Sequence, residues 1–142
     1  MFFRRKKEKQ DQYKKDLEHL KQMQAEGKIS ASADLEILAK NLAKWRGSDY
    51  WANKQDLANF GTDEDLDVLV KDPDVGCRAC VAERGRDKDL DVLVSDPDWY
   101  VRVQVAYQGR DEDLDLLAKD ENVHVRNAVE DVRSQKKEND SE

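Results

Sequence analysis

The chain has 142 residues, of which 40% are charged and 38% are hydrophobic, and its net charge is -7. This length suits one domain with a modest core, and the regular recurrence of apolar residues argues against a disordered chain. Residues 1–28 contain nine Lys or Arg against five Asp or Glu, so the rest of the chain carries -11. An acidic body disfavours broad binding to a phosphate backbone, and it favours a basic or an uncharged partner.

The sequence contains no apolar run long enough to span a membrane. Residues 1–7 are rich in Arg and Lys and lack the apolar stretch of a signal peptide. The chain has only two cysteines, which is typical of a protein whose thiols stay reduced. We therefore expect a cytoplasmic protein.

Residues 1–33 predict a helical segment that precedes the repeated part of the chain. Tyr13, Leu17 and Leu20 form a narrow apolar stripe at helical spacing. We expect this helix to cap the first repeat by packing beside Leu38, Leu42 and Trp45. Phe2, Phe3 and the basic residues that follow leave self-association or contact with a membrane surface open.

A repeat of 24 residues dominates the rest of the sequence. Residues 66–74 recur at 90–98 and, in part, at 114–120. An earlier copy starts at Asp34 and is longer by about seven residues around 41–47. This step predicts about four units, at roughly 34–64, 65–88, 89–112 and 113–132.

Each unit predicts two short helices. Leu66, Leu69 and Val70 have the i, i+3, i+4 spacing of a buried helix face. Three aspartates at the 24-residue step occupy positions that predict N-caps of the first helices: Asp63, Asp87 and Asp111. Pro73 and Pro97 end the first helix, and Asp74, Asp98, Gly85 and Gly109 are placed to cap the second. Neither helix can bury its apolar face alone, so neighbouring units must stack.

The repeat resembles the leucine-rich repeat variant family of HEAT-like solenoids. The resemblance rests on Asp96-Pro97-Asp98, Val101-Arg102 and Val105-Ala106, and on the same pattern 24 residues earlier. It covers residues 48–132, although Glu121 replaces the proline in the last unit. It implies α-helices alternating with 3₁₀-helices in a right-handed superhelix. We thus predict an all-α, right-handed solenoid over 34–132 with an N-terminal capping helix, followed by a disordered tail over 133–142.

Comparison of the units separates recurring positions from variable ones. Cys77, Val81 and Ala82 belong to columns that stay apolar or small in most units. Two polar columns recur beside them: Asp72, Asp96 and Asp120, and Arg78, Arg102 and Arg126. Because each arginine has a matching acid, we interpret them as Asp–Arg pairs between units rather than as a row that binds phosphate.

The variable positions of the second helix are the candidates for partner binding. Tyr100, Val103 and Tyr107 have the spacing i, i+3, i+7 and are predicted to form one outward stripe. Exposed tyrosines are frequent anchors of protein interfaces. These three residues are the predicted partner-binding site.

The remaining chemistry of the sequence favours a protein without catalytic activity. Cys77 and Cys80 form a CxxC pair, but Cys77 lies in the column of Val101 and Val125, so a packing role is expected. His19 and His124 have no spaced ligand partners and are expected at the surface. We predict no cofactor, no metal site and no catalytic residues.

The leading hypothesis is a non-enzymatic scaffold for an unknown protein partner, which contacts either the outer face around Tyr100 and Tyr107 or the groove of the solenoid. One alternative is a HEAT-like protein that associates with nucleic acid through its basic N-terminal segment, which the acidic body disfavours. The other is a redox protein that works through Cys77 and Cys80.

Overall fold

The computed structural model describes residues 2–141, and the regular secondary structure in that part of the chain is all helical, with no strands. The predicted all-α class is confirmed. The described helices are α1 (Phe2–Ala25), α2 (Leu35–Trp45), α3 (Trp51–Phe60), α4 (Asp63–Leu69), α5 (Val75–Arg84), α6 (Asp87–Leu93), α7 (Trp99–Tyr107), α8 (Asp111–Leu117) and α9 (Val123–Asp140). The chain divides into two compact units, Met1–Asp67 and Val68–Glu142.

In the first unit, α1 packs against α2, and α2 packs against α3. Leu20 of α1 and Leu42 of α2 are fully buried. The rings of Trp45 and Phe60 stack with their centroids 6.4 Å apart. The predicted packing of the N-terminal helix against the helix of Leu42 is therefore confirmed.

In the second unit, the longer helices α5, α7 and α9 pack in series, each against the next. The short helix α6 contacts both α5 and α7, and α8 contacts both α7 and α9. The side chains of Cys77, Val101 and Val125 are fully buried, as are those of Val81 and Val105 in the neighbouring column. The predicted core columns are confirmed.

The starts of the longer helices follow the sequence prediction. The carboxylate of Asp74 accepts a hydrogen bond from the backbone N–H of Cys77 at 2.8 Å, and that of Asp98 accepts one from Tyr100. Asn122 serves α9 in the same way through His124. Gly85 ends α5 with a φ of 75°, in the left-handed region that glycine adopts without strain.

The short helices differ from the prediction in two ways. Asp63, Asp87 and Asp111 are the first helical residues and not N-caps. Arg86 and Arg110 hold the N-cap positions of α6 and α8 without a side-chain cap. The aspartates instead place negative charge in the first turn, where it interacts favourably with the helix dipole. All three short helices are α-helical, and no 3₁₀-helix occurs within residues 2–141.

The C-terminal residues also differ from the prediction. Helix α9 continues to Asp140, where a disordered tail was expected from residue 133. Arg133 forms an ion pair with Asp115 at 2.8 Å, and Lys136 forms one with Asp111 at 2.9 Å. Lys136 also donates to the carbonyl oxygen of Gly109. These contacts attach a segment with few apolar residues to the preceding repeat, which explains how it stays helical.

Candidate interaction surface

A ladder of Asp–Arg pairs connects the stacked helices of the second unit. Nε and Nη2 of Arg78 donate to the two carboxylate oxygens of Asp96 at 2.9 and 3.2 Å. Arg102 and Asp120 make the same pair at 2.8 and 3.1 Å. Arg78 and Arg102 therefore each bind the aspartate that lies 18 residues later, in the next repeat. The interpretation of these columns as pairs between repeats is confirmed for these two arginines.

Each arginine of the ladder also holds the turn of its own repeat. Nη1 of Arg78 donates to the carbonyl oxygen of Asp72 at 2.8 Å. Arg102 and Arg126 bond in the same way to the carbonyl oxygens of Asp96 and Asp120, both at 2.7 Å. The ladder thus supplies partners for backbone groups that the prolines and turns leave outside the helices.

The electrostatics of the ladder agree with a structural role. The hydrogen bonds to Asp120 raise the pKa of Arg102, against the opposing effect of burial. Burial alone would raise the pKa of Asp120. The hydrogen bonds from Arg102 and from the backbone of Asn122 outweigh burial and hold that pKa below its usual range. Arg102 and Asp120 are therefore both charged at neutral pH and engaged with each other.

A second network of ion pairs, not predicted from the sequence, lies in the first compact unit. Arg46 donates to both carboxylate oxygens of Asp16 at 2.7 Å and to both oxygens of Asp65 at 2.8 and 2.9 Å. Asp16 is fully buried, and Gln12 gives it a further hydrogen bond at 3.1 Å. One guanidinium group thus ties α1 and the start of α4 to the end of α2.

In the second compact unit, the aspartates that correspond to Asp65 have an arginine partner in their own repeat. Arg86 pairs with Asp89 at 2.7 Å, and Arg110 pairs with Asp113 at the same distance, each three residues apart. The corresponding position before Asp65 is Thr62, which donates through its backbone N–H at 2.9 Å and has no positive charge. The missing arginine in this column was the sequence signal that another cation had to neutralise Asp65.

His19 also has a structural role that was not expected. It was predicted at the surface, but it is half-buried, and its Nε2 donates to the carbonyl oxygen of Phe60 at 3.0 Å. That carbonyl belongs to the last residue of α3, where the helix leaves its acceptors without internal partners. His19 therefore supplies a hydrogen-bond partner for one of the terminal carbonyls of α3.

The structure separates the three predicted partner-binding residues. The exposed fraction is 43% for Tyr100 and 50% for Tyr107, so both are accessible, but Val103 is only 8% exposed. The predicted continuous outward stripe is wrong at Val103. Helix α7 packs against both α5 and α9, which leaves little of its circumference open. The residues that correspond to Val103 in the other repeats are Ala79 in α5, which is buried, and Asn127 in α9, which is exposed. Because α9 is the last described helix of the series, this pattern places the column on the side of the following helix.

The accessible residues include an aromatic patch, which we define as Trp99, Tyr100 and His124. Trp99 and Tyr100 meet edge to face with their centroids 6.1 Å apart. The rings of Trp99 and His124 lie 5.0 Å apart with an interplanar angle of 32°. All three side chains are exposed at the starts of α7 and α9, and Tyr107 lies about 10 Å further along α7. His124 is exposed, as predicted.

A second set of exposed apolar side chains follows the short helices. We call it the apolar row, and it consists of Val68, Val92 and Leu116, which are separated by 24 residues and are all more than half exposed. This row was not predicted, although its three residues recur at the 24-residue step of the repeat. The row consists of aliphatic side chains, whereas the aromatic patch presents rings in mutual contact.

The two cysteines lie where side chains pack in the second compact unit. Cys77 is fully buried in the column of Val101 and Val125, as expected, and Cys80 is half-buried. Within residues 2–141, no three His, Cys, Asp or Glu side chains are grouped in a way that would hold a metal ion. No helix in the same part of the chain has the length and the apolar character that crossing a bilayer requires.

Charge is distributed differently in the two compact units. Residues 68–142 contain 12 Lys or Arg and 19 Asp or Glu, so the second unit carries -7. Residues 1–67 contain 13 of each and are neutral in sum. The aromatic patch therefore belongs to the unit with the negative charge.

Comparison of the chain with protein-family models, curated proteins and solved structures finds no match. The resemblance to the leucine-rich repeat variant family therefore stays a prediction that rests on the repeat motif.

Proposed function

We propose that this chain is a non-enzymatic scaffold for protein–protein interaction, built as a right-handed solenoid of the leucine-rich repeat variant type. The proposed solenoid contains about four two-helix repeats. Helices α3, α5, α7 and α9 start at residues 51, 75, 99 and 123, and α4, α6 and α8 start at 63, 87 and 111. The constant step of 24 residues and the Asp–Arg ladder support this architecture, because the aspartate of one repeat binds the arginine of the preceding repeat.

The observation that carries the proposed function is the exposure of Trp99, Tyr100 and Tyr107 on α7. Tyrosine and tryptophan are enriched among the residues that dominate binding energy at interfaces. Large aromatic side chains gain most from burial, so rings left in contact with water at the start of two adjacent helices form a candidate contact area. The recurring arginines and aspartates are already engaged with each other and serve the scaffold.

The charge of the second unit favours a partner with a basic or an uncharged contact surface. A unit that carries -7 repels acidic partners at a distance and attracts basic ones. We also place the interaction in the cytoplasm. The packing role of the buried Cys77 supports this location, because cysteines used as small core residues are common where thiols stay reduced.

Affinity capture with paired variants tests the proposal. The full chain with a C-terminal tag is used on lysate of the native host, and captured proteins are quantified by mass spectrometry. Three baits are compared: the original sequence, Tyr100→Ala/Tyr107→Ala, and Val92→Ser/Leu116→Ser. The last variant removes the same number of exposed apolar side chains from the apolar row.

We expect at least one protein to be captured by the original chain and by the Val92→Ser/Leu116→Ser variant, and to be lost with the tyrosine variant. Identical captures with all three baits would contradict the proposed contact area. Loss of the same proteins with both variants, together with a lower melting temperature, would show a general effect of destabilisation.

A further inference from the structure

The first ten described residues of α1 extend beyond the packed part of the first unit. Residues 2–11 are all exposed, and the fully buried positions of the helix begin at Asp16. The exposed fraction is 76% for Phe2 and 83% for Phe3, and their rings meet edge to face with centroids 5.9 Å apart. Two phenylalanines thus remain in water at the end of a helix whose other end is packed.

The helical repeat sorts most residues from 2 to 15 into three adjacent rows with the spacing i, i+4, i+7, i+11. Arg5 and Gln12 fall on the remaining side of the helix, in line with the buried Asp16. The rows are Phe2, Lys6, Lys9 and Tyr13; Phe3, Lys7, Gln10 and Lys14; and Arg4, Glu8, Asp11 and Lys15. Both acids fall in the third row, where Glu8 forms an ion pair with Arg4 at 3.3 Å. The first two rows combine aromatic rings with lysines and contain no acid, and we call them the cationic face.

The surface of the helix agrees with this assignment. Lys6, Lys9, Gln10, Tyr13 and Lys14 line one shallow depression. All five belong to the first two rows, so these side chains are neighbours on one side of α1. The cationic face is therefore continuous from Lys6 to Lys14.

The charges of the segment oppose the stability of an isolated helix. The first turn of α1 contains Arg4 and Arg5 and no acidic residue. Cations near the N-terminus interact unfavourably with the positive end of the helix dipole. Residues that destabilise their own helix are expected where they serve binding. An external anionic surface would compensate the positive charges at the start of α1.

We propose that the cationic face binds the surface of a lipid bilayer that contains anionic phospholipids. Phe2 and Phe3 enter the boundary between headgroups and acyl chains, and the lysines contact the acidic headgroups. Exposed phenylalanines beside lysines favour a bilayer over a nucleic acid, because only the bilayer offers an apolar layer directly beneath the anionic one. This inference goes beyond the proposed scaffold function and does not depend on it.

Vesicle sedimentation with matched variants tests this inference. The full chain carries its tag at the C-terminus and is mixed with vesicles of phosphatidylcholine alone or with 30 mol% phosphatidylglycerol. The variants are Phe2→Ser/Phe3→Ser, Lys7→Gln/Lys14→Gln on the cationic face, and Arg4→Gln/Lys15→Gln on the row that contains the acids. The last two remove the same charge from exposed positions of the same helix.

We expect binding to the vesicles with phosphatidylglycerol only, and weaker binding in 0.5 M NaCl because salt screens the lipid charge. The affinity should fall at least tenfold for the phenylalanine variant and at least fivefold for Lys7→Gln/Lys14→Gln. For Arg4→Gln/Lys15→Gln it should fall less than twofold. Circular dichroism of all three variants should match that of the original chain, since the substituted side chains are exposed.

Three results would overturn the inference. The first is no sedimentation with phosphatidylglycerol vesicles at low salt. The second is an equal loss of affinity for the two charge variants, which would indicate a non-specific effect of net charge. The third is tighter binding to a 20-nucleotide DNA than to vesicles, unchanged in the phenylalanine variant, which would assign the segment to nucleic acid instead.

Discussion

Replacement of Arg46 by glutamine should destabilise the protein severely. Arg46 neutralises two carboxylates, and the carboxylate of Asp16 is fully buried. Removing one partner of a buried ion pair typically costs 3–5 kcal/mol, because the other charge stays buried without compensation. The side chain of Arg46 is partly exposed, and Asp65 keeps its hydrogen bonds from Thr62, so the lower end of this range applies. We expect a loss of about 3 kcal/mol in the free energy of unfolding.

Urea unfolding followed by circular dichroism measures this loss. For a protein of this size, about 3 kcal/mol corresponds to a fall of roughly 10 °C in melting temperature. Arg4→Gln is the matched control, because it removes an arginine from the exposed pair with Glu8, and it should change stability by less than about 0.5 kcal/mol.

A double variant separates the stranded charge from other effects of the substitution. In Arg46→Gln, the carboxylate of Asp16 keeps a hydrogen bond from Gln12 but loses its only ion pair among the described residues. Replacement of that carboxylate by a neutral amide, in Asp16→Asn/Arg46→Gln, should recover about 1 kcal/mol relative to the single variant. A loss below about 1 kcal/mol in the single variant, or no recovery in the double variant, would refute the reasoning.

Three further predictions follow from the second unit and from the carboxylates. The pKa values of Asp65 and Asp120 are lowered in the folded state, so both groups stabilise the protein above their unfolded pKa of about 3.9. This stabilisation is lost as the pH falls through the folded pKa values, so urea midpoints should be constant from pH 7 to 5 and fall below about pH 4. A rise of the urea midpoint below about pH 4 would contradict the assignment. Val103→Ala should cost about 1 kcal/mol because a buried side chain is shortened, whereas Tyr107→Ala should be nearly neutral in thermal unfolding; equal effects would show that both are core or both surface. Residues 133–140 should show helical Cα chemical shifts that weaken in 1 M NaCl, since ion pairs attach this segment; random-coil shifts at low salt would restore the disordered tail.

The sequence predicted the parts of the fold that repeat. Cys77 could be placed in the core because Val101 and Val125 occupy the same position one and two repeats later. The Asp–Arg pairs could be predicted for the same reason, since each arginine recurs with an acid at a fixed distance. A pattern that occurs several times in one chain carries information that a single copy lacks.

The parts that the sequence did not reveal depend on contacts outside the repeat. Asp16 lies before the repeats, and Arg46 lies in the irregular insertion of the first repeat, so no constant spacing connected the two residues in the sequence. Val103 was assigned to the surface because the variable positions were read as one face, yet packing on two sides of α7 buries it. The segment from residue 133 lacked an apolar pattern, and its partners Asp111 and Asp115 are close only in the folded chain.

The candidate site was only partly predictable for a related reason. Tyr100 and Tyr107 stood out because they vary between copies, and the structure leaves both accessible. Trp99 was not singled out in the sequence, and His124 was expected at the surface without being assigned to the binding site. Their contact arises because α7 and α9 start side by side, which a comparison of aligned copies does not show.

Isothermal titration of a captured and purified partner tests the central claim most directly. The titration compares the original chain with Tyr100→Ala/Tyr107→Ala, and thermal unfolding is measured on the same samples. Truncation of an interface tyrosine that anchors binding costs about 2 kcal/mol or more, so we predict that Kd increases at least 30-fold while the melting temperature stays within about 2 °C. An unchanged Kd, or a weaker one accompanied by a large loss of thermal stability, would contradict the assignment of these tyrosines to the contact surface.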